Sequence, residues 1–371
     1  MEIVEFALER MQSLHENDVE LNLSDSGVHP YDLRSLLDEE AREALLDLEL
    51  GYGHTDGSPG LRGAIAALHA ARSVDEVIVT SGGAEANFLL VMSTVEPGDE
   101  VVVLTPNYLQ IAGWAQAAGA TVTTVALERD DGWRLDRDAI TAALARSPKL
   151  LTLCDPNNPT GVVQGQDDRA WLVAATREAG CLLHVDEVYR GAELEGPEPA
   201  SWADDGDHVL ITDSTSKALA LPGLRIGWLV GPKEIVYRSW QRKDYTTITT
   251  AALSEAIAER VLAPDLRGRI LARSQQWLAG NRDLLAQWID ETPGFDCALP
   301  QAGGMALLAY DLPIDSTALS ERLRTEASVL AVPGACYGME GFLRVGIGAP
   351  RAVLAEGLSR LAALAERIRA G

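Results

Sequence analysis

A single lysine stands in "DSTSKALALPGLR", residues 213–225, among hydroxyls and small apolar residues, with Arg225 closing the run. An amine in that setting can carry covalent chemistry with a carbonyl compound. Groups of matching chemistry are scattered along the chain. "SGGAEAN" offers Gly82 and Gly83 for a tight turn into a helix, whose first N–H groups, at Gly83, Ala84 and Glu85, can hold a phosphate. "TPNY" presents Tyr108, "DPNNPTG" presents Asn158, "DEVYRG" presents Asp186 and Tyr189, and Ser214 and Ser216 precede Lys217. Taken one at a time, each has an ordinary structural explanation: a glycine turn, an Asn-Pro breaker, a helix cap, a half-buried ring, a solvated lysine, a surface ion pair.

The elements that must position these residues change the odds. Seven short runs, "EVIVT", "EVVVL", "TVTTV", "LLTLC", "CLLHV", "HVLIT" and "RIGWLV", alternate with helical segments between residue 60 and about 230. They are nearly all apolar rather than alternating, as strands buried on both faces of a mostly parallel sheet are. Ligands of such sheets bind beyond the carboxyl ends of the strands, and each candidate group falls just after one of these runs. A phosphate cradle, an aromatic plate, an amide, a carboxylate, a phenol, an amine and a guanidinium therefore meet at one edge. Together they fit around pyridoxal 5'-phosphate. Lys217 would form a Schiff base with its aldehyde, and Asp186 would keep its pyridine nitrogen protonated. Tyr189 and Asn158 would donate to the ring oxygen, Tyr108 would stack on the ring, and Arg225 with Ser214 would neutralise the phosphate.

The whole chain sets bounds on the reading. Its 371 residues exceed a usual single domain. The expected organisation is an N-terminal segment 1–45, a large cofactor-binding domain 46–250 and a smaller C-terminal domain 251–371. The fold expected is α/β: a mostly parallel seven-stranded sheet flanked by helices, plus a smaller α+β domain formed by the N- and C-terminal segments. Fifty-five acidic against 31 basic residues give a formal charge of −24, which argues against nucleic acid or anionic membrane as a partner. Cys154, Cys181, Cys297 and Cys336 are widely spaced with no CxxC pair, so no metal site is expected. No apolar run reaches the length of a membrane span, and the acidic, amphipathic N-terminus is not a signal peptide, so the expected location is cytoplasmic.

With these residues assembled, the chain resembles the fold-type I pyridoxal-phosphate enzymes of the class I/II aminotransferase family from about Tyr52 to Gly348. "GYGHTDGSPGLR" is similar to the family segment whose tyrosine, here Tyr52, reaches the phosphate of the other subunit. "DPNNPTG", "HVDEVYRG" and "STSKALALPGLRIGW" match its most diagnostic blocks, and "FLRVGIG" resembles the block whose arginine, here Arg344, grips the substrate α-carboxylate. The resemblance implies a homodimer with shared active sites. It also implies transfer of an amino group between an L-amino acid and a 2-oxo acid, with Lys217, Asp186 and Tyr189 as catalytic residues. Ser216, Gly83, Ala84 and Glu85 join the expected cofactor-binding set.

The segment "NLSDSGVHPYDLRSLL" departs from the family pattern, which has a glycine-x-proline-aspartate-phenylalanine turn there. Gly27 can still offer its backbone to the substrate carboxylate, and His29 stands as an additional acid/base group or as a turn histidine beside Pro30. A similar stretch occurs in the capreomycidine-synthase-like branch, which cyclises a hydroxylated arginine on the same cofactor without transamination. Elimination, cyclisation or oxidation of an arginine-like amino acid is therefore the second function. A non-catalytic regulator is the third, disfavoured because the first 45 residues are acidic and do not form a DNA-binding domain. Glu85 and the acidic balance would suit a basic side chain, whereas Arg190 would oppose one if it faced the pocket.

Overall fold

The structure, a computed structural model, describes residues 3–370; residues 1, 2 and 371, the outermost ends of the expected terminal segments, lie outside the described residues. A two-residue strand β1 (Leu21–Asn22) precedes β2 (Val77–Thr80), β3 (Glu100–Thr105), β4 (Thr121–Ala126), β5 (Leu150–Cys154), β6 (Leu182–Asp186), β7 (Val209–Ser214) and β8 (Gly227–Val230). Strands β2 to β8 form one seven-stranded sheet in the order β2-β8-β7-β6-β5-β3-β4. Only β8 opposes its neighbours β2 and β7; the β3–β4, β3–β5, β5–β6 and β6–β7 pairings are parallel. All seven runs read from the sequence are strands of this sheet.

Successive side chains on a strand point to opposite faces, so an internal strand must be apolar throughout. Val77 and Val79 accordingly enter one hydrophobic core with Leu151 and Leu183, while Ile78 enters a second core with Leu150 and Leu210. The run "TVTTV" is the exception. As β4 it forms the sheet edge, and its threonines are exposed or half-buried.

Strands β9 (Phe295–Asp296), β10 (Met305–Tyr310), β12 (Val332–Pro333) and β13 (Phe342–Gly346) make a four-stranded antiparallel sheet in the order β12-β13-β10-β9. Between them, β11 (Val329–Leu330) pairs in parallel with β1, fastening the N-terminal segment to this sheet's neighbourhood. The helical stretch expected near 250–287 is two helices, Ala252–Val261 and Pro264–Glu291, because Pro264 opens a new first turn. The first 45 residues hold the expected helix, Ala7–His15, and also short helices at Leu33–Leu36 and Glu39–Leu46, capped by Asp32 and Asp38.

Candidate active site

Beyond the carboxyl ends of the parallel strands lies a cavity of about 510 Å³. Its lining contains Gly83, Ala84, Tyr108, Asn158, Asp186, Tyr189, Ser214, Ser216, Lys217, Arg225 and Arg344, so most of the expected site residues converge on one space.

Asp186 ends β6, half-buried at the cavity floor. Its Oδ1 accepts from the Val188 backbone N–H at 3.2 Å, and its Oδ2 lies 3.4 Å from the Asn87 side-chain amide. Burial without a bonded cation raises its pKa from the ordinary value to about 6. Beneath it runs a file of neutral groups. Asn87 accepts from the Thr212 hydroxyl at 2.7 Å, and Thr212 Oγ1 and Thr152 Oγ1 sit 2.9 Å and 2.8 Å from the two ring nitrogens of His184. Burial depresses the His184 pKa to about 3, so the imidazole contributes no charge there.

Tyr189 is buried, its hydroxyl donating to Ser26 Oγ at 2.8 Å, and desolvation pushes its pKa up, which keeps the phenol a donor at neutral pH. Asn158 Oδ1 accepts from Arg344 Nη1 at 3.1 Å and from the Tyr337 hydroxyl at 3.3 Å. Its amide nitrogen is therefore the end left to donate to a ligand. Arg344, on β13, is 1% exposed, also donates to the Ser24 carbonyl, and its Nε has no partner among the described residues. A guanidinium so deeply buried and incompletely bonded calls for an anion.

The helix Gly83–Thr94 begins at Gly82 with no side-chain cap, so its first N–H groups face the cavity end unspent. Gly82 has φ 83°, and a Cβ there would run into the Arg225 guanidinium. The cradle thus depends on a residue without a side chain. Arg225 is itself left-handed, with φ 52°, and donates to the Pro222 carbonyl at 3.1 Å, which turns its side chain back toward Gly82.

Lys217 Nζ lies 3.3 Å from Asp25 Oδ1, a residue 192 positions earlier in the chain. Lys217 is the main reason the Asp25 carboxyl is held down to about 2. The Asp25–Gly27 strap is fixed in turn: the Gly27 N–H donates to Asp25 Oδ1 at 2.8 Å, and Gly304, Gly346 and Gly348 approach its carbonyls so closely that a Cβ on any of them would overlap.

Four expected residues lie apart from the cavity lining. Gly27 is buried in the strap beside the Lys217 side chain. Glu85 accepts from the Ser81 N–H at 2.6 Å and from Thr246 and Thr247, tying the helix start to the loop after Lys243. Tyr52 is 89% exposed on the surface of the chain. His29 points away: its N–H donates to the Gly348 carbonyl at 2.9 Å, its carbonyl accepts from Arg273, and its ring stacks on Trp277 at 5.5 Å. These contacts pack the turn on the helix Pro264–Glu291. Asp25, Asn87, Thr212 and His184 were not singled out from sequence, and Ser26 stood out only as a departure from the family pattern, with no role attached. His184 alone carried a signal, since a polar residue two places before Asp186 shares its face of the strand.

Residues 21–361 match the sequence profile described as "Aminotransferase class I and II". The chain belongs to this family. A class I and II aminotransferase, it is a pyridoxal-phosphate-dependent enzyme of fold type I. It is 32% identical to the capreomycidine synthase of Streptomyces vinaceus, over 92% of this chain and 88% of that one. It is 28% identical to the aspartate/prephenate aminotransferase of Thermus thermophilus, over 94% and 92% respectively. Among solved structures, a pyridoxal-phosphate-dependent aminotransferase from Streptococcus suis superposes with a TM-score of 0.94 at 27% identity, covering 99% of both chains. The cofactor fits the residues present. The half-buried Asp186 carboxylate lacks a cation, which a protonated ring nitrogen supplies, and the uncapped helix start beside Arg225 suits a phosphate. Among the described residues no helix is long and apolar enough to cross a membrane, and no group of His, Cys, Asp or Glu is arranged to hold a metal.

Proposed function

We propose that this class I and II aminotransferase moves the α-amino group of an L-amino acid to a 2-oxo acid in the cavity between Lys217 and Arg344. The observation that carries the reading is the presence in one cavity of the Lys217 amine, the unsatisfied Arg344 guanidinium and the cation-less Asp186 carboxylate. Pyridoxal phosphate, when bound, supplies an aldehyde that combines with amines and a ring that draws electrons from the substrate α-carbon. Asp186 holds the ring nitrogen's proton, with the Asn87 file fixing the carboxylate from below. Asn158 would donate to the ring oxygen, Tyr189 would do so by turning its hydroxyl from Ser26 to the ligand, and Tyr108 would lie against the ring. Arg225, Ser214, Ser216 and the Gly83 and Ala84 N–H groups hold the phosphate. Arg344 orients the α-carboxylate in a planar, bidentate grip, which sets the α C–H bond for proton removal. Lys217 takes that proton and returns it. In this reading residues 46–250 form the cofactor-binding unit, and residues 1–45 with 251–371 carry Asp25 and Arg344. Incubation of the loaded enzyme with a panel of L-amino acids tests it: one or more should yield the 2-oxo acid and the aminated cofactor, and a second oxo acid should reverse the change. If no member of the panel gives an oxo acid, transamination is excluded.

We also propose a homodimer with shared sites. Leu46, Leu50, Tyr52 and Tyr245 are 77%, 81%, 89% and 92% exposed. The segments that hold the two tyrosines are neighbours, since Lys243 Nζ donates to the Thr55 carbonyl at 2.8 Å. So large an apolar exposure marks an interface. Light scattering should give twice the chain mass. A monomeric mass with undiminished activity would remove Tyr52 from the site.

A second reading, cyclisation or elimination on an arginine-like amino acid, draws support from the similarity to capreomycidine synthase and from the "SDSGVH" strap, whose Asp25 and Ser26 touch Lys217 and Tyr189. It predicts a product that keeps its nitrogen and a cofactor that is never aminated, which the same panel reports.

A further inference from the structure

The charges lining the cavity do not balance once the groups named above are engaged. Its carboxylates are Glu9, Glu16, Asp25 and Asp186; its basic side chains are Lys217, Arg225 and Arg344. In the reading above Asp186 takes the ring nitrogen, Arg225 the phosphate, Arg344 the α-carboxylate and Lys217 the aldehyde carbon. Three carboxylates are left over, and Asp25 loses the amine that neutralises it at 3.3 Å as soon as that amine is used.

These carboxylates are placed together. Leu8, Glu9, Gln12, Ser13 and Glu16 are spaced along one face of the helix Ala7–His15 and its first following residue, and that face is the cavity wall. Asp25 stands where this wall meets the reacting end. The residue before it, Ser24, accepts from Arg344 through its carbonyl, and Lys217 touches its carboxylate. The strap glycines hold it there. Its carboxylate is 62% exposed toward the open space, so it is available to a ligand. Arg344 supplies an independent marker of the substrate: buried, incompletely bonded and lining the same cavity, it fixes where the α-carboxylate goes. With the α-carboxylate on Arg344 and the α-carbon within reach of Lys217, the substrate side chain lies against Asp25 and the acidic face of the helix.

The residues that would argue otherwise are engaged elsewhere. Arg190 is buried against Glu187 and Glu198 at 3.0 Å and 2.7 Å and is absent from the lining. No basic side chain of this protomer's lining remains for a side-chain carboxylate.

We propose that Asp25, with Glu9 and Glu16 along the wall, selects a substrate whose side chain ends in a cation, an ammonium or a guanidinium. The proposal rests on the reading of the cavity given above and names the substrate class for it. Glu9 already accepts the Tyr108 hydroxyl through one oxygen, which holds it toward the cavity and leaves the second oxygen for the cation.

The test uses the cofactor-loaded enzyme and compares ornithine and arginine with norvaline, which has ornithine's carbon skeleton without its terminal amine. Wild type should show kcat/KM at least about tenfold higher for a cationic substrate than for norvaline. In Asp25→Asn that ratio should fall at least about tenfold. Norvaline preferred by wild type, or a ratio unchanged in Asp25→Asn because both substrates lose equally, overturns the proposal; the second result makes Asp25 a positioning residue for Lys217 only. Should Asp25→Asn fail to load cofactor, Glu9→Gln and Glu16→Gln read the same ratio, and no change in either overturns it. Equilibrium titration with α-methylornithine and α-methylnorvaline, which have no α-proton to lose, separates the two levels. Equal dissociation constants sink the proposal even if transamination occurs, and a preference for α-methylornithine upholds it even if transamination does not.

Discussion

Lys217→Ala should fold, take up pyridoxal phosphate without a borohydride-reducible bond to the protein, and transaminate about 10⁴-fold or more slowly than wild type. Folding should survive because the loop is held by its other residues. Thr215 and Ile226 share a backbone bond at 3.0 Å, the Leu221 N–H returns to the Thr215 carbonyl at 2.9 Å, and Ala218, Leu219, Ala220 and Leu221 are buried. The lysine side chain itself makes one ion pair, with a partner that is mostly exposed, so its loss should change stability by no more than about 1 kcal/mol. The rate effect is large because no other amine lines the cavity to take its place. Mass spectrometry after borohydride reduction decides the matter: an adduct surviving in the variant means that another amine carries the cofactor. An adduct lost with turnover retained would remove Lys217 from proton transfer.

Asp186→Asn should cost about 10³-fold in turnover while leaving the cavity's shape intact. The amide matches the carboxylate in size and keeps the bond from Val188, but it cannot hold a proton on the ring nitrogen. The pH dependence of the cofactor-free protein gives a second, independent readout. The folded-state pKa of Asp186 is raised from 3.8 to about 6, so the folded protein binds this proton more tightly than the unfolded chain. Above about pH 6 the unpaired charge destabilises the fold, by at most about 3 kcal/mol given the open cavity beside it. The penalty fades as pH falls toward 4. Cofactor-free wild type should therefore gain thermal stability from pH 7 to pH 5, and Asp186→Asn should gain less. Asp155, raised to about 6, and Glu193, raised to about 7, titrate in the same range, so the informative quantity is the difference between the two slopes. Loading wild type with cofactor should flatten its slope in the same way. Identical slopes for the variant and the wild type would mean that Asp186 carries no such strain.

Much of the fold and of the cavity lining is legible in the sequence, and for a physical reason. Strands buried on both faces must be apolar along their whole length, so six of the seven runs stood out, and the polar residues following β2, β3, β5, β6 and β7 had to lie at the ligand edge. Lys217, Asp186, Asn158 and Arg225, expected there on that ground, all line the cavity. The pairs that fix them were not legible in this way. Asp25 meets Lys217, and Ser26 meets Tyr189, across separations of 192 and 163 residues, and β1 joins β11 through two residues each, too short for any periodic signal. The helix Ala7–His15 misleads in a different way: a polar helix face reads as solvated, and only the fold turns that face onto the cavity. His29 shows the reverse, a residue of acid/base type that lies outside the cavity lining with its ring stacked on Trp277.

The strap of Asp25–Gly27 is gripped by three glycines of the C-terminal half, whereas the helix that carries Glu9 and Glu16 has an exposed back and meets the rest of the chain through Leu8 and its neighbours. The acidic wall is thereby divided between a strap packed tightly on all sides and a helix held along one face. Exchange of the helix Ala7–His15 and Glu16 for the matching segment of a relative should therefore alter the outer part of that wall while Asp25 stays beside Lys217, so the breadth of side chains accepted can change without the choice of charge changing.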